Sequence, residues 1–211
     1  TYNICKPMVK IKFCGFTLAE DIKRAVELGV DYVGIILYPK SPRYVSWKRL
    51  KDLIKAAGDV KKVAVMVNPS YEEVQRAFDL GFDLVQLHGE EGLDFSKKFG
   101  LDRIIKAFRT CPGLSLGEEW KECHGVLLDA CSNQYGGSGK ESDWEYAKGL
   151  VERGFRVFLA GGLKAEKVGQ AIRRVKPYCV DVSSGIEKDP GIKDHKKMEE
   201  FVNAVKNAFK D

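Results

Sequence analysis

The chain has 211 residues, of which 44% are hydrophobic and 31% charged, enough for one sizeable core and short for two. No apolar run nears the roughly 18–20 residues of a membrane-spanning helix, and residues 1–7 lack the charged start, apolar centre and cleavage site of a secretory signal. The expectation is therefore a cytoplasmic protein with no membrane partner. The net charge of +5 is spread along the chain among acidic residues, which argues against a nucleic-acid stripe and suits a small anionic molecule.

Residues 1–8 read as an N-terminal extension expected to be disordered, ahead of one domain over 9–211 that no Gly/Ser/Pro linker divides. The first β-rich apolar run covers 9–16, and a helical pattern follows over 19–28. Further runs at 32–37, 62–67, 84–88, 103–108, 125–130, 156–160 and 179–183 are interleaved with helical patterns at 47–57, 71–80, 144–153 and 165–175. An amphipathic segment over 195–209 closes the series. After the fifth run, 110–123 contains Pro112, Gly113 and Gly117, so a short or irregular connection is expected there.

Near-continuous apolar strands separated by helices imply a parallel sheet covered on both faces. The repeated turns Leu28-Gly29-Val30-Asp31 and Leu80-Gly81-Phe82-Asp83 place glycine where a helix ends before a strand. Eight such units make the class α/β and favour a single closed (β/α)₈ TIM barrel with few insertions, an open doubly wound sheet being the alternative. The six cysteines include no CxxC pair, and Cys123-His124 stands alone as a ligand pair. No metal site and no disulfide framework is expected, and most of the thiols read as small core residues.

In such a barrel, chemistry gathers at the carboxyl ends of the strands. Cys14 ends the first run, and alternation sets Lys10, Lys12 and Cys14 on the face opposite Val9, Ile11 and Phe13. A buried Lys12 would favour the Cys14 thiolate; the plainer reading is an inert core thiol. Asp181 on the last run shares inward parity and is expected to pair with Lys12 across the seam between first and eighth strands. Asp129 ends the sixth run, where partial desolvation would suit a general acid, unless it merely caps a helix or a loop.

Glycine-rich turns follow the sixth, seventh and eighth runs, with Gly137, Gly139, Gly161, Gly162, Ser184 and Gly185 as candidate members of a phosphate site built from backbone amides. Arg43, on the loop after the second run, could fork onto a carboxylate or stand solvated. His88 ends the fourth run and either lines the pocket or is structural.

The stretches Lys12-Phe13-Cys14-Gly15-Phe16-Thr17, Val85-Gln86-Leu87-His88-Gly89, Ala160-Gly161-Gly162-Leu163 and Val180-Asp181-Val182-Ser183-Ser184-Gly185-Ile186-Glu187, with the 38–44 loop and 127–140 followed by Asp143-Trp144, resemble the phosphoribosylanthranilate isomerase family. Phe13 and Phe16 stand where that family usually has Ile, and Ala160 where it commonly has Ser. The resemblance implies a cofactor-free Amadori rearrangement of an aminoaldose in tryptophan biosynthesis. It implies Asp129 as general acid, Cys14 as general base, Arg43 on the anthranilate carboxylate, and the glycine turns on the phosphate. It implies a phosphorylated anionic substrate, and a monomer or homodimer. The related histidine-pathway isomerase would carry an Asp in place of Cys14, and indoleglycerol-phosphate synthase would need a Lys and Glu pair not found at these strand ends.

Overall fold

A computed structural model describes residues 9–210; the expected N-terminal extension lies outside the described residues. Eight parallel strands close into a barrel in sequence order. They are β1 (Lys10–Cys14), β2 (Tyr32–Ile36), β3 (Lys61–Met66), β4 (Leu84–Leu87), β5 (Ile104–Arg109), β6 (Gly125–Asp129), β7 (Val157–Leu159) and β8 (Cys179–Val182). The helices are α1 (Ala19–Glu27), α2 (Leu50–Ala57), α3 (Tyr71–Leu80), α4 (Leu93–Lys97), α5 (Trp144–Glu152), α6 (Ala165–Val175) and α7 (His195–Lys206). The closed barrel, not the open sheet, is therefore the fold. Between β5 and β6 the chain makes only a 3₁₀ turn, Glu118–Glu122, as its Pro and Gly content predicts. A short hairpin, β9 (Glu187–Asp189) with β10 (Ile192–Lys193), follows β8.

The turns form for local reasons. Ser70 and Glu73 close a capping box on α3, while Gly29 and Gly81 take the left-handed backbone after their helices, with φ of 82° and 113°. Asp31 and Asp83, the last residues of the repeated turns, accept the amides of Ile11 and Lys62 at 2.9 and 2.8 Å. Each repeat thus ties the start of its own strand to the strand before it.

The strands face two cores. Ile11 and Phe13 of β1 pack outward beneath the helices, while Cys14, Tyr32, Val63, Leu84, Ile105, Leu127, Phe158 and Cys179 fill the barrel interior. The predicted parity of β1 holds. No described helix is long and apolar enough to cross a membrane.

One expectation about the thiols is corrected. Cys14, Cys123 and Cys179 are free and buried, but Cys111 and Cys131 form a disulfide. The cause lies in the register: Arg109 of β5 faces Asp129 of β6, so the cysteines two residues beyond each emerge side by side, with Cα atoms 4.6 Å apart. Cys123 and His124 do not act together; the His124 ring turns inward to Tyr32.

Candidate active site

The carboxyl ends of the strands surround a cavity of about 620 Å³. Cys14, Arg43, His88, Asp129, Gly137, Gly139, Gly161, Gly162 and Ser184 all line it, so nearly the whole candidate set converges. Gly185 does not line the cavity. It packs behind the wall, where a Cβ would stand 2.0 Å from the Leu163 carbonyl oxygen, so its lack of a side chain serves close backbone packing.

Cys14 is 6% exposed and sits beside Gly34 of β2, where a Cβ would come within 2.7 Å of Sγ. That glycine makes room for the thiol. The seam pair is present: Lys12 Nζ, fully buried, donates to Asp181 Oδ1 at 2.7 Å. Burial opposes the charge on Lys12, but Asp181 holds its ammonium above the ordinary lysine range.

Lys12 favours the Cys14 thiolate as expected, but it is outweighed. Burial pushes the Cys14 thiol above its ordinary value, Asp181 adds to that, and the opposing fields of Lys12 and Lys193 do not overcome it. Cys14 therefore rests as a thiol.

Asp129 Oδ1 accepts the Ala130 amide at 2.8 Å, and the Asp129 carbonyl accepts both the amide and the hydroxyl of Thr110 at 2.9 Å. Asp129 caps no helix, since α5 is capped by Asp143, but its Oδ1 does hold the first amide of the loop after β6. His88 Nε2 lies 3.4 Å from Asp129 Oδ2. Its Nδ1 meets the Gln86 amide nitrogen at 2.8 Å. A donating amide makes Nδ1 the acceptor and leaves the ring proton on Nε2, facing Asp129.

Arg43 is not a solvated surface residue. It is 7% exposed and clamped by Glu187, with Nε at 3.1 and 2.9 Å from the two carboxylate oxygens and Nη2 at 2.7 Å from Oε1. Glu187 also accepts the Gly191 amide at 3.0 Å and Lys193 Nζ at 3.1 Å. Sequence reasoning missed Glu187 and Lys193 as parts of the site. Glu187 closes one of the resemblance blocks, but its partner Arg43 lies 144 residues away and no spacing rule connects them.

The glycine turns bring backbone together. Gly161 and Gly162 have φ of 93° and 63°, and a Cβ on Gly161 would lie 2.8 Å from the Ser142 amide nitrogen. The turn after β7 thus packs directly on the loop after β6. Three buried polar atoms in the cavity wall, Gln86 Oε1, His88 Nε2 and Ser183 Oγ, make no hydrogen bond among the described residues.

A closed (β/α)₈ barrel that gathers a thiol, a carboxyl group and glycine turns around the mouth at its strand carboxyl ends has the layout of a barrel enzyme. Residues 11–204 match the family described as N-(5'phosphoribosyl)anthranilate (PRA) isomerase. The chain belongs to that family. It is 50% identical over 203 residues to the N-(5'-phosphoribosyl)anthranilate isomerase of Aquifex aeolicus (strain VF5), covering 95% of this chain and all of the relative, 100%. The solved structure of mutually generated monomers of the dimeric Thermotoga maritima enzyme aligns with a TM-score of 0.81 at 35% identity, covering 95% of this chain and 100% of that one. A phosphoribosyl anthranilate isomerase in complex with reduced 1-(o-carboxyphenylamino)-1-deoxyribulose 5-phosphate aligns with a TM-score of 0.80 at 34% identity, with 95% and 100% covered.

Proposed function

We infer that the chain isomerises N-(5-phosphoribosyl)anthranilate to 1-(2-carboxyphenylamino)-1-deoxyribulose 5-phosphate in tryptophan biosynthesis. The observation that carries the chemistry is the convergence of Cys14 and Asp129, ends of β1 and β6, on one cavity. In this reading the Asp129 carboxylic acid gives its proton to the ribose ring oxygen. The C1′–O bond breaks, and the anilino nitrogen lone pair forms a Schiff base. Cys14 then removes the proton from C2′, and the C2′–H electron pair gives an enolamine that tautomerises to the ketone. Atoms and electrons balance within the substrate, so the scheme uses only an acid and a base.

The remaining assignments support this order of events. The turns bearing Gly137, Gly139, Gly161, Gly162 and Ser184 would hold the phosphate, whose charge of about −1.5 to −2 suits converging amides. Gly185 would serve that site through packing. Arg43 would grip the anthranilate carboxylate, and His88 would line the pocket beside the acid. The assignment extends to a cytoplasmic monomer or homodimer, with the dimeric Thermotoga maritima relative favouring the second.

Anthranilate fluorescence tests the function. Purified protein should quench the emission of N-(5-phosphoribosyl)anthranilate as it turns over; steady emission at every pH from about 6 to 10 would refute the reading. Because burial raises the Cys14 thiol and a base must first lose its proton, kcat/KM should climb with pH, and the limb should lie above the ordinary thiol value of 9.0. A limb near 7 would show that another group is the base.

A further inference from the structure

Glu187 and Lys193 come from the β9–β10 hairpin, which adds nothing to the barrel wall, yet both are buried, at 8% and 1% exposure. Their side-chain hydrogen bonds run to the strand ends, to Arg43, to each other and to the Gly191 amide. Lys193 Nζ donates to the Cys14 carbonyl at 2.5 Å and to the Ser183 carbonyl at 3.3 Å, fastening the hairpin to the ends of β1 and β8. It also meets Glu187 Oε2 at 3.1 Å. Glu187 in turn takes Nε and one Nη2 hydrogen of Arg43.

That pattern leaves the guanidinium with one edge used and one edge open. Arg has five N–H donors. Glu187 occupies the side-on edge, and the end-on edge, Nη1 with the second Nη2 hydrogen, makes no hydrogen bond among the described residues. A Cβ on Gly137 would lie 3.1 Å from Nη1, which places that edge against the glycine loop after β6, at the cavity mouth that both residues line. Charge points the same way. Arg43 and Lys193 share a single carboxylate, so the buried cluster carries an excess cation that an incoming anion would neutralise.

We propose that Glu187 is a positioning residue for substrate recognition: it holds the side-on edge of Arg43 so that the end-on edge meets the carboxylate on the substrate's aromatic ring, with Lys193 fixing Glu187 to the strand ends. The proposal rests on the function inferred above. Two parallel hydrogen bonds to a carboxylate need the guanidinium plane set in advance, and a long side chain left free would lose rotamer entropy on binding. The clamp removes that loss before substrate arrives.

The test pairs two substrates with two variants. N-(5-phosphoribosyl)anthranilate carries the carboxylate, and N-(5-phosphoribosyl)aniline lacks it; product is followed by mass spectrometry. Glu187→Gln should raise KM for the first substrate roughly tenfold, the scale of one charge-assisted hydrogen bond, with kcat within about twofold. The same variant should leave KM and kcat for the aniline substrate within about twofold of wild type. Glu187→Asp keeps the charge between both cations and shortens the reach by one methylene, so it should fold even where the Gln variant does not, with the same selective rise in KM. Equal losses on both substrates, or no loss on either, in whichever variant folds, would overturn the clamp. Wild-type protein that turns over neither substrate would instead sink the functional reading itself.

Discussion

The two ends of the barrel are finished differently. At the amino end, Tyr32 Oη meets His124 Nε2 at 2.8 Å and Tyr178 Oη at 3.3 Å. Phe158 packs against all three rings, and a Cβ on Gly125 would lie 2.3 Å from Phe158, so no gap remains. Burial, with the charges of Arg156 and Lys61, pushes His124 down to about 4, leaving it neutral near pH 7. At the carboxyl end, Gln86, His88 and Ser183 each bury a polar atom without a hydrogen bond, and Arg43 keeps an open edge. Among the described residues, the first end meets its own polar groups, whereas the second leaves buried polar atoms open toward the cavity. The contrast teaches where ligand-binding free energy must come from, because an unmet buried polar atom costs about 1–3 kcal/mol until something meets it.

That contrast can be broken by experiment. The largest effect belongs to the open end: Cys14→Ala and Asp129→Asn should each lower kcat by about 10² to 10⁴, the range of a general acid or base, with thermal unfolding little changed. Near-normal turnover in either variant would remove that residue from the chemistry while leaving the fold in place. The closed end should answer oppositely. Phe158→Ala should cost about 3–5 kcal/mol of stability by leaving a cavity, read by denaturant unfolding, while kcat of the folded protein stays within about twofold. A large fall in kcat there would mean that the two ends are coupled. The smallest effect sharpens the comparison midway. The Cys111–Cys131 disulfide joins residues 20 apart in sequence, and Cys111→Ser should cost about 3 kcal/mol by freeing that loop in the unfolded chain. A similar unfolding midpoint with and without reductant would show that the bridge adds nothing.

Much of this was legible in the sequence because the information was local. All eight strands announced themselves as apolar runs, since strands buried on both faces need little else. The helix after β4 was missed because α4, Leu93–Lys97, is too short for its period to show. Alternation along β1 placed Lys12 and Cys14 inside, and parity on β8 anticipated the Lys12–Asp181 pair. The consequence of that pair was misjudged: a lysine already bound to a carboxylate does not overcome the burial of a neighbouring thiol. The disulfide depended on register between β5 and β6, and the Arg43–Glu187 clamp on contacts across 144 residues. Neither is written in spacing; both require the closed barrel to exist first.

The Lys12–Asp181 pair bears on how the barrel shuts. Its partners lie 169 residues apart, on the first and last strands, so they meet only when the ring is joined. Shifting β1 by a single residue would swing Lys12 out among Ile11's neighbours beneath the helices, an ammonium in oil with no counter-ion, at a penalty of several kcal/mol. That penalty disfavours a mis-set closure, and the alignment that avoids it also puts a sulfur atom at the rim.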